Sequence, residues 1–313
     1  MLKRMLALSM AVLVTWIWSS SYFLNVYAFE QGIGPFTLSG LRFLIGSAVL
    51  GVIFRPNYRE KRANGREAAN RPKKRPPLYV WLLLGVSGYA AAQGLQYAGQ
   101  KLLEPTQVSL ILSMGNTLMV LAVDRLGAGE SRDGVTVPGA LVMIAGVVLF
   151  YFPWDFGGGS ASGIALVLLS SAGYALHLTL NRRMLANAWS DPFLLTLVPM
   201  AIGGAILLSC GLAFEEAPRL SGALVGVVLC LGIVNGAAAF LLWTWSQQFL
   251  TAGDSGLINN LMLPEIALLE IVLFDRSFEA WQWAGIILVL AAVICVQVSR
   301  QLRVSRAAGG RSS

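Results

Sequence analysis

Charge is scarce in this chain. Only 12% of its 313 residues are Asp, Glu, Lys or Arg, against about 25% in soluble domains. Histidine occurs once, as His177, and cysteine three times, as Cys210, Cys230 and Cys295. The cysteines fall in apolar runs without paired spacing, which argues against a disulfide framework or a zinc site and leaves them as small core hydrophobes. No metal or cofactor motif stands out. There is no Walker-type phosphate loop either, so ATP is excluded as the direct energy source. Asp is absent from the interior of the long apolar runs, which removes the paired carboxylates that a metal-dependent, lipid-modifying membrane transferase would need.

What is abundant is apolar sequence: 56% of residues are hydrophobic. The apolar stretches recur at about 20 residues, the length of one helical bilayer crossing. The expected spans are 5–29, 35–54, 78–100, 104–123, 135–153, 161–181, 191–213, 220–248, 254–274 and 281–299, ten in all. The basic start and first run resemble a signal peptide. The run is too long and lacks a cleavage site, so it reads as a retained helix. Residues 55–77 form a basic loop expected to be disordered, and 300–313 a disordered basic tail. Alternate threading puts that loop, Lys3, Arg4, Arg125, Arg132, Arg182, Arg183 and the tail on one side. By the bias of Lys and Arg, that side is cytoplasmic and holds both termini. The net charge of +7 is then membrane-proximal loop chemistry. The basic loop lacks interleaved aromatics, so nucleic acid is not an expected partner.

The most informative stretch is SGLINNLMLPEIALLE, Ser255 to Glu270. It lies inside an apolar run yet carries Asn259, Asn260, Pro264, Glu265 and Glu270. An acid at membrane depth costs about 2.5–3.5 kcal/mol on insertion scales, so such groups face a wet or protein-lined interior. Pro264 cannot donate to the Asn260 carbonyl. On a straight helix Asn259 and Glu270 share a face and Glu265 points elsewhere. The run ending at Arg125 and the run ending at Arg276 are each followed by a polar turn and a last apolar helix. Five spans per half is odd, so the second half enters the membrane in the opposite sense, as in inverted-repeat transporters. The expected units are 1–153, 154–299 and the tail 300–313.

Several short segments carry a family likeness: TWIWSSSYF (15–23), LSGLRF (38–43), LEPTQVSLIL (103–112), GYALHLTLNRR (173–183) and INNLML (258–263). In order and spacing the chain resembles the EamA-type branch of the drug/metabolite transporter superfamily, over all but the long loop and the tail. That resemblance implies ten helices in two inverted repeats and alternating-access movement of small metabolites, usually export across a bacterial inner membrane. Relatives commonly close the second repeat with Leu-Gly-Glu, where this chain has Phe274, Asp275 and Arg276. Position 265 is more often neutral in them.

Polar stripes give an independent reading. Tyr89, Gln93, Gln96 and Gln100 repeat at i, i+4, i+7 and i+11, as do Ser170, Tyr174, His177 and Asn181. Trp18, Tyr22 and Asn25 align on the first span, and Thr106, Ser109, Ser113 and Asn116 on the fourth. One such stripe fits interhelical hydrogen bonding. Stripes on five spans fit a shared wet cavity better, because amides facing lipid are costly. The expected substrate-binding residues are Trp18, Tyr22, Asn25, Arg42, Tyr89, Gln93, Gln96, Asn116, Tyr174, His177, Asn259 and Asn260. Arg42 reads as a carboxylate clamp, as a partner for Glu265 or Glu270, or as a structural Arg bonded to helix carbonyls. Glu265 and Glu270 are the candidates for proton coupling. The fold class is therefore all-α integral membrane, two inverted five-helix repeats around a central cavity. The expected function is a secondary-active exporter of small metabolites such as amino acids or amphipathic or aromatic compounds, with two alternatives: a lipid-modifying membrane enzyme and a lipid-linked sugar flippase.

Overall fold

The computed structural model describes residues 2–63, 76–128, 136–153, 160–186, 189–190, 192–218, 221–246, 249–250 and 258–309. These are helical throughout, with no strand among them. The helices are α1 (Leu2–Glu30), α2 (Pro35–Ala63), α3 (Leu78–Gln100), α4 (Pro105–Ala128), α5 (Thr136–Phe150), α6 (Ser160–Ala186), α7 (Pro192–Phe214), α8 (Gly222–Ser246), α9 (Met262–Phe274) and α10 (Ala280–Gly309). Six of them, α1, α2, α3, α6, α7 and α8, are long and apolar enough to cross a membrane, and α5 and α10 contain shorter apolar helices. Most of the basic loop, residues 64–75, lies outside the described residues.

Two ends differ from expectation. Helix α2 continues to Ala63 and α10 to Gly309, through sequence read as loop and tail. Arg, Lys and Ala are good helix formers, and cations at a helix C-terminus complement its dipole, so a basic continuation costs little. The ninth span also differs. The helix is interrupted by a turn at Asn260 and Leu261 and restarts at Met262. Pro264 thus falls in a first turn, where its missing N–H is no loss. The Asn260 carbonyl accepts instead from Leu263 N at 3.3 Å. The straight-helix geometry relating Asn259 to Glu270 therefore does not hold.

The packing has an internal symmetry. Helix α2 packs on α7, and α5 on α10. The pairs α4–α6, α3–α6 and α3–α7 are matched by α9–α1, α8–α1 and α8–α2. Exchanging each helix for the one five places away reproduces these principal pairings. The α5–α10 crossing is tight enough that a Cβ on Gly285 would meet the Gly146 carbonyl at 2.6 Å, and one on Gly146 the Gly285 carbonyl at 2.9 Å. Helices α3 and α8 occupy equivalent places, and each contains a π-helical segment, Val86–Ala91 and Leu231–Ala238. A change from i+4 to i+5 bonding and back shifts the register and leaves backbone groups to other partners.

The helix ends use local caps. Pro35 opens α2 at the position where proline is favoured. The Glu215 carboxylate, just past α7, accepts from Phe36 N and Thr37 N at 2.8 Å each and from Thr37 Oγ1 at 2.7 Å. An acid at a helix N-terminus is favoured by the dipole. At the end of α9, Asp275 adopts φ 49°, the left-handed cap that glycine usually fills. Asp275→Gly is accordingly expected to stabilise the protein by about 0.5–1 kcal/mol, read as a rise in thermal midpoint in micelles.

Candidate functional site

The polar stripes converge on one cavity of about 160 Å³. Helix α1 supplies Trp18 and Tyr22, α2 Arg42, and α3 Tyr89, Gln93 and Gln96. Helix α4 supplies Asn116 and α6 Tyr174 and His177, while Asn259 comes from the turn before α9. Ten of the twelve candidate binding residues thus line the same space. Asn25 and Asn260 do not. Asn25 is buried one turn beyond Tyr22 and donates from Nδ2 to Gln100 Oε1 at 2.6 Å. Asn260 is buried at the helix interruption and is not among the lining residues.

The cavity has an aromatic wall and an amide wall. The Trp18 ring lies 5.0 Å from Phe240 and 5.2 Å from Trp243, centroid to centroid. Tyr89 meets Phe43 at 5.1 Å and His177 at 5.7 Å, both edge to face. The lining also holds the amides Gln93, Gln96 and Asn116. Gln96 donates to the Tyr22 hydroxyl at 3.2 Å.

Arg42 is 3% exposed, and its neighbourhood decides among its readings. One terminal nitrogen donates to the Tyr97 hydroxyl and the other to the Asn235 carbonyl, the latter at 3.0 Å. Its Cζ lies 5.5 Å from the Phe43 ring centroid and 5.8 Å from that of Tyr97. Nε is buried without a partner. Neither Glu265 nor Glu270 reaches it: the first lies against Thr15 and Ser19, the second against Thr106 and Arg276. The guanidinium is therefore a buried cation without a counter-carboxylate among the described residues.

Asn235 is the residue that sequence reading missed. It sits in the π segment of α8, and its carbonyl accepts from Trp18 Nε1 at 3.2 Å as well as from Arg42. Its amide nitrogen donates to the Ile17 carbonyl. The N–H that an α-helix would bring to this carbonyl, that of Ala239, goes to Val234 and Gly236 instead, and the Trp18 and Arg42 side chains take its place. The His177 ring donates from Nδ1 to the carbonyl of Leu84 on α3, two residues before the π segment of that helix, at 3.1 Å. That bond fixes Nδ1 as the protonated nitrogen, since a carbonyl only accepts. Gly88 makes the approach possible, because a Cβ there would fall on the imidazole.

A second, larger space of about 870 Å³ opens at the ends of α1, α3 and α9 and the start of α4. Glu30, Lys101, Glu104, Glu270 and Arg276 line it, and Gln100 lines both spaces. Arg276 bridges Glu270, at 3.0 Å, and the half-exposed Glu104. Among the described residues, no group of three or more His, Cys, Asp or Glu comes together as a metal site would require.

The EamA-like transporter family model matches residues 5–152 and again 161–298. The chain belongs to the EamA-like transporter family. The double match agrees with the internal symmetry of the packing, and the family, with the apolar helices, makes this a multi-pass membrane protein of transporter type. A solved structure described only as a crystal structure of a protein matches with a TM-score of 0.67 and 20% identity. It covers 95% of this chain and 97% of that one, and at that identity the likeness is one of fold. No curated protein matches.

Proposed function

We propose that this EamA-like protein is a secondary carrier of small amphipathic carboxylates, amino acids with apolar or aromatic side chains above all. It would work with ten crossings, both termini in the cytoplasm of a bacterial inner-membrane protein, and inverted repeats at 1–153 and 154–299. The observation that carries the reading is the guanidinium of Arg42, which borders the cavity, is buried with Nε unpartnered, and has no carboxylate beside it among the described residues. A solute carboxylate would supply the missing anion, and charge-assisted bonds to Arg are among the stronger polar contacts available. The Trp18, Phe240 and Trp243 rings offer the apolar half of the site. The cavity, about 160 Å³, is smaller than the roughly 300–1,000 Å³ of drug-sized sites, which favours a small metabolite. Export is the direction favoured by the family likeness.

The test is counterflow in proteoliposomes. Labelled phenylalanine, valine and their decarboxylated amines are offered to vesicles preloaded with the unlabelled compound. Exchange of the amino acids and not of the amines is expected. Equal handling of acid and amine removes the role given to Arg42, and no exchange of any probe removes the substrate class.

A further inference from the structure

Glu265 stands on α9, which packs against α1 and α4, and is 6% exposed. It is not part of the cavity lining. From Met5 to Phe29 α1 contains no Lys, Arg or His; nor does α4 from Pro105 to Val123, nor α9 itself. On α1, Thr15, Ser19 and Tyr22 lie toward α9, and Tyr22 is held by Gln96. On α4 the neighbours of α9 are Leu110, Ile111 and Met114, packed with Leu263, Ile266 and Ala267. The nearest charged group on α9 is Glu270, five residues on, and Arg276 already neutralises it. No cation therefore faces Glu265 from the helices packed around it.

The hydrogen-bond inventory says what stands in for the cation. Ser19 Oγ lies 2.8 Å from Glu265 Oε2. Thr15 Oγ1 lies 2.7 Å from the Val12 carbonyl and 3.0 Å from Glu265 Oε1. A hydroxyl owns one proton, and a carbonyl owns none. If Thr15 gives its proton to Val12 in the shorter contact, the contact with Oε1 needs a proton from the acid. A neutral Glu265 satisfies all three contacts. The Val12 carbonyl keeps its helical donor within α1 in either case, but a carboxylate would have to share the single Thr15 proton with it, and it buries an uncompensated charge.

We propose that Glu265 is the proton site of this carrier: it holds a proton at neutral pH, donated to Thr15 Oγ1, while α1 and α9 are packed together. The two helices belong to different halves, so opening their seam exposes the acid to water. Its O–H bond then breaks, the proton passes to water, and closure reverses the step. This rests on the carrier reading above, and it separates the two membrane acids, since Glu270 already has its counter-charge in Arg276.

The experiment is infrared spectroscopy of the full chain in maltoside micelles, which have no ester carbonyl of their own. At pH 7 the wild type is expected to show the C=O stretch of a protonated carboxylic acid, lost in Glu265→Gln and kept in Glu270→Gln. Thr15→Val and Ser19→Ala retain the acid and are expected to shift the band by removing a partner. They serve as the readout if Glu265→Gln does not fold. A wild type without the band, a band that survives Glu265→Gln, or a band that neither hydroxyl variant moves overturns the assignment. In proteoliposomes, accumulation of labelled phenylalanine driven by a pH gradient is expected to fall at least tenfold in Glu265→Gln, and undiminished accumulation overturns the coupling. Absence of exchange in the wild type would speak against the carrier reading instead, with the band still deciding the proton.

Discussion

Arg276→Ala is expected to lower stability by about 2–3 kcal/mol, and Glu270→Gln in the same chain to restore most of it. Glu270 is 3% exposed and accepts from Arg276 and from the Thr106 hydroxyl. Removing one partner of a buried pair costs about 3–5 kcal/mol, because the other charge is left stranded. The lower figure is chosen because the Arg276 side chain keeps 21% of its surface in contact with solvent. Glu104, at 53% exposure, should matter little, and Glu104→Gln is expected to cost under about 1 kcal/mol, as exposed pairs do. Glu270→Gln alone keeps an acceptor for Thr106 and leaves Arg276 with Glu104. The double-mutant cycle should therefore show a coupling of about 1–2 kcal/mol between 270 and 276. Additive thermal or denaturant midpoints, within about 0.5 kcal/mol, would mean the pair is not what holds the start of α4 to the end of α9.

The polar stripes were legible because the 3.6-residue period is a property of the sequence. Tyr89, Gln93 and Gln96 arrive on one wall although the π segment Val86–Ala91 begins just before them, since the shift precedes most of the stripe. The π segments themselves left no such mark. One extra residue per turn has no composition of its own, and the only hint was small residues such as Gly88, Gly232 and Gly236 at close approaches. Asn235 was hidden for a related reason. It is one amide in the apolar run of α8, and nothing in its spacing announces that Trp18 and Arg42 meet its backbone oxygen.

The ninth span shows the opposite error. Its polar residues stand out in the sequence, but no regular helix runs through Asn260 and Leu261, where the chain turns. With the break in place, Asn259 lines the central cavity, Glu270 the outer-end space, and Glu265 neither. A proline near the start of a helix and one in its middle look alike in a hydropathy plot. They differ in which N–H is missed, which depends on where the helix begins.

Arg42→Met is expected to abolish most phenylalanine exchange while leaving the thermal midpoint unchanged or raised. The two halves of that expectation come from one geometry. A guanidinium in a nearly dry site with no carboxylate beside it is a liability for folding, and replacing buried charge by an apolar side chain of similar length is often neutral or stabilising. What offsets the loss is modest: Tyr97 forfeits one donor, while the Asn235 carbonyl retains Trp18. Binding should respond in the other sense. A hydrogen bond to a charged group contributes about 1.5–3 kcal/mol, so the apparent affinity for phenylalanine should weaken by about 10–150-fold. Arg42→Lys should fall between, since a single ammonium keeps the charge but cannot reach Tyr97, Asn235 and a solute at once. Ligand stabilisation supplies a readout independent of transport. Phenylalanine at a hundred times its wild-type dissociation constant should add about 2.7 kcal/mol to the wild type and only about 0.3–1.4 kcal/mol to Arg42→Met. A variant that melts well below the wild type and still exchanges phenylalanine would make Arg42 a structural tie between α2 and the π segment of α8, and the cavity would have to find its anion-binding group elsewhere.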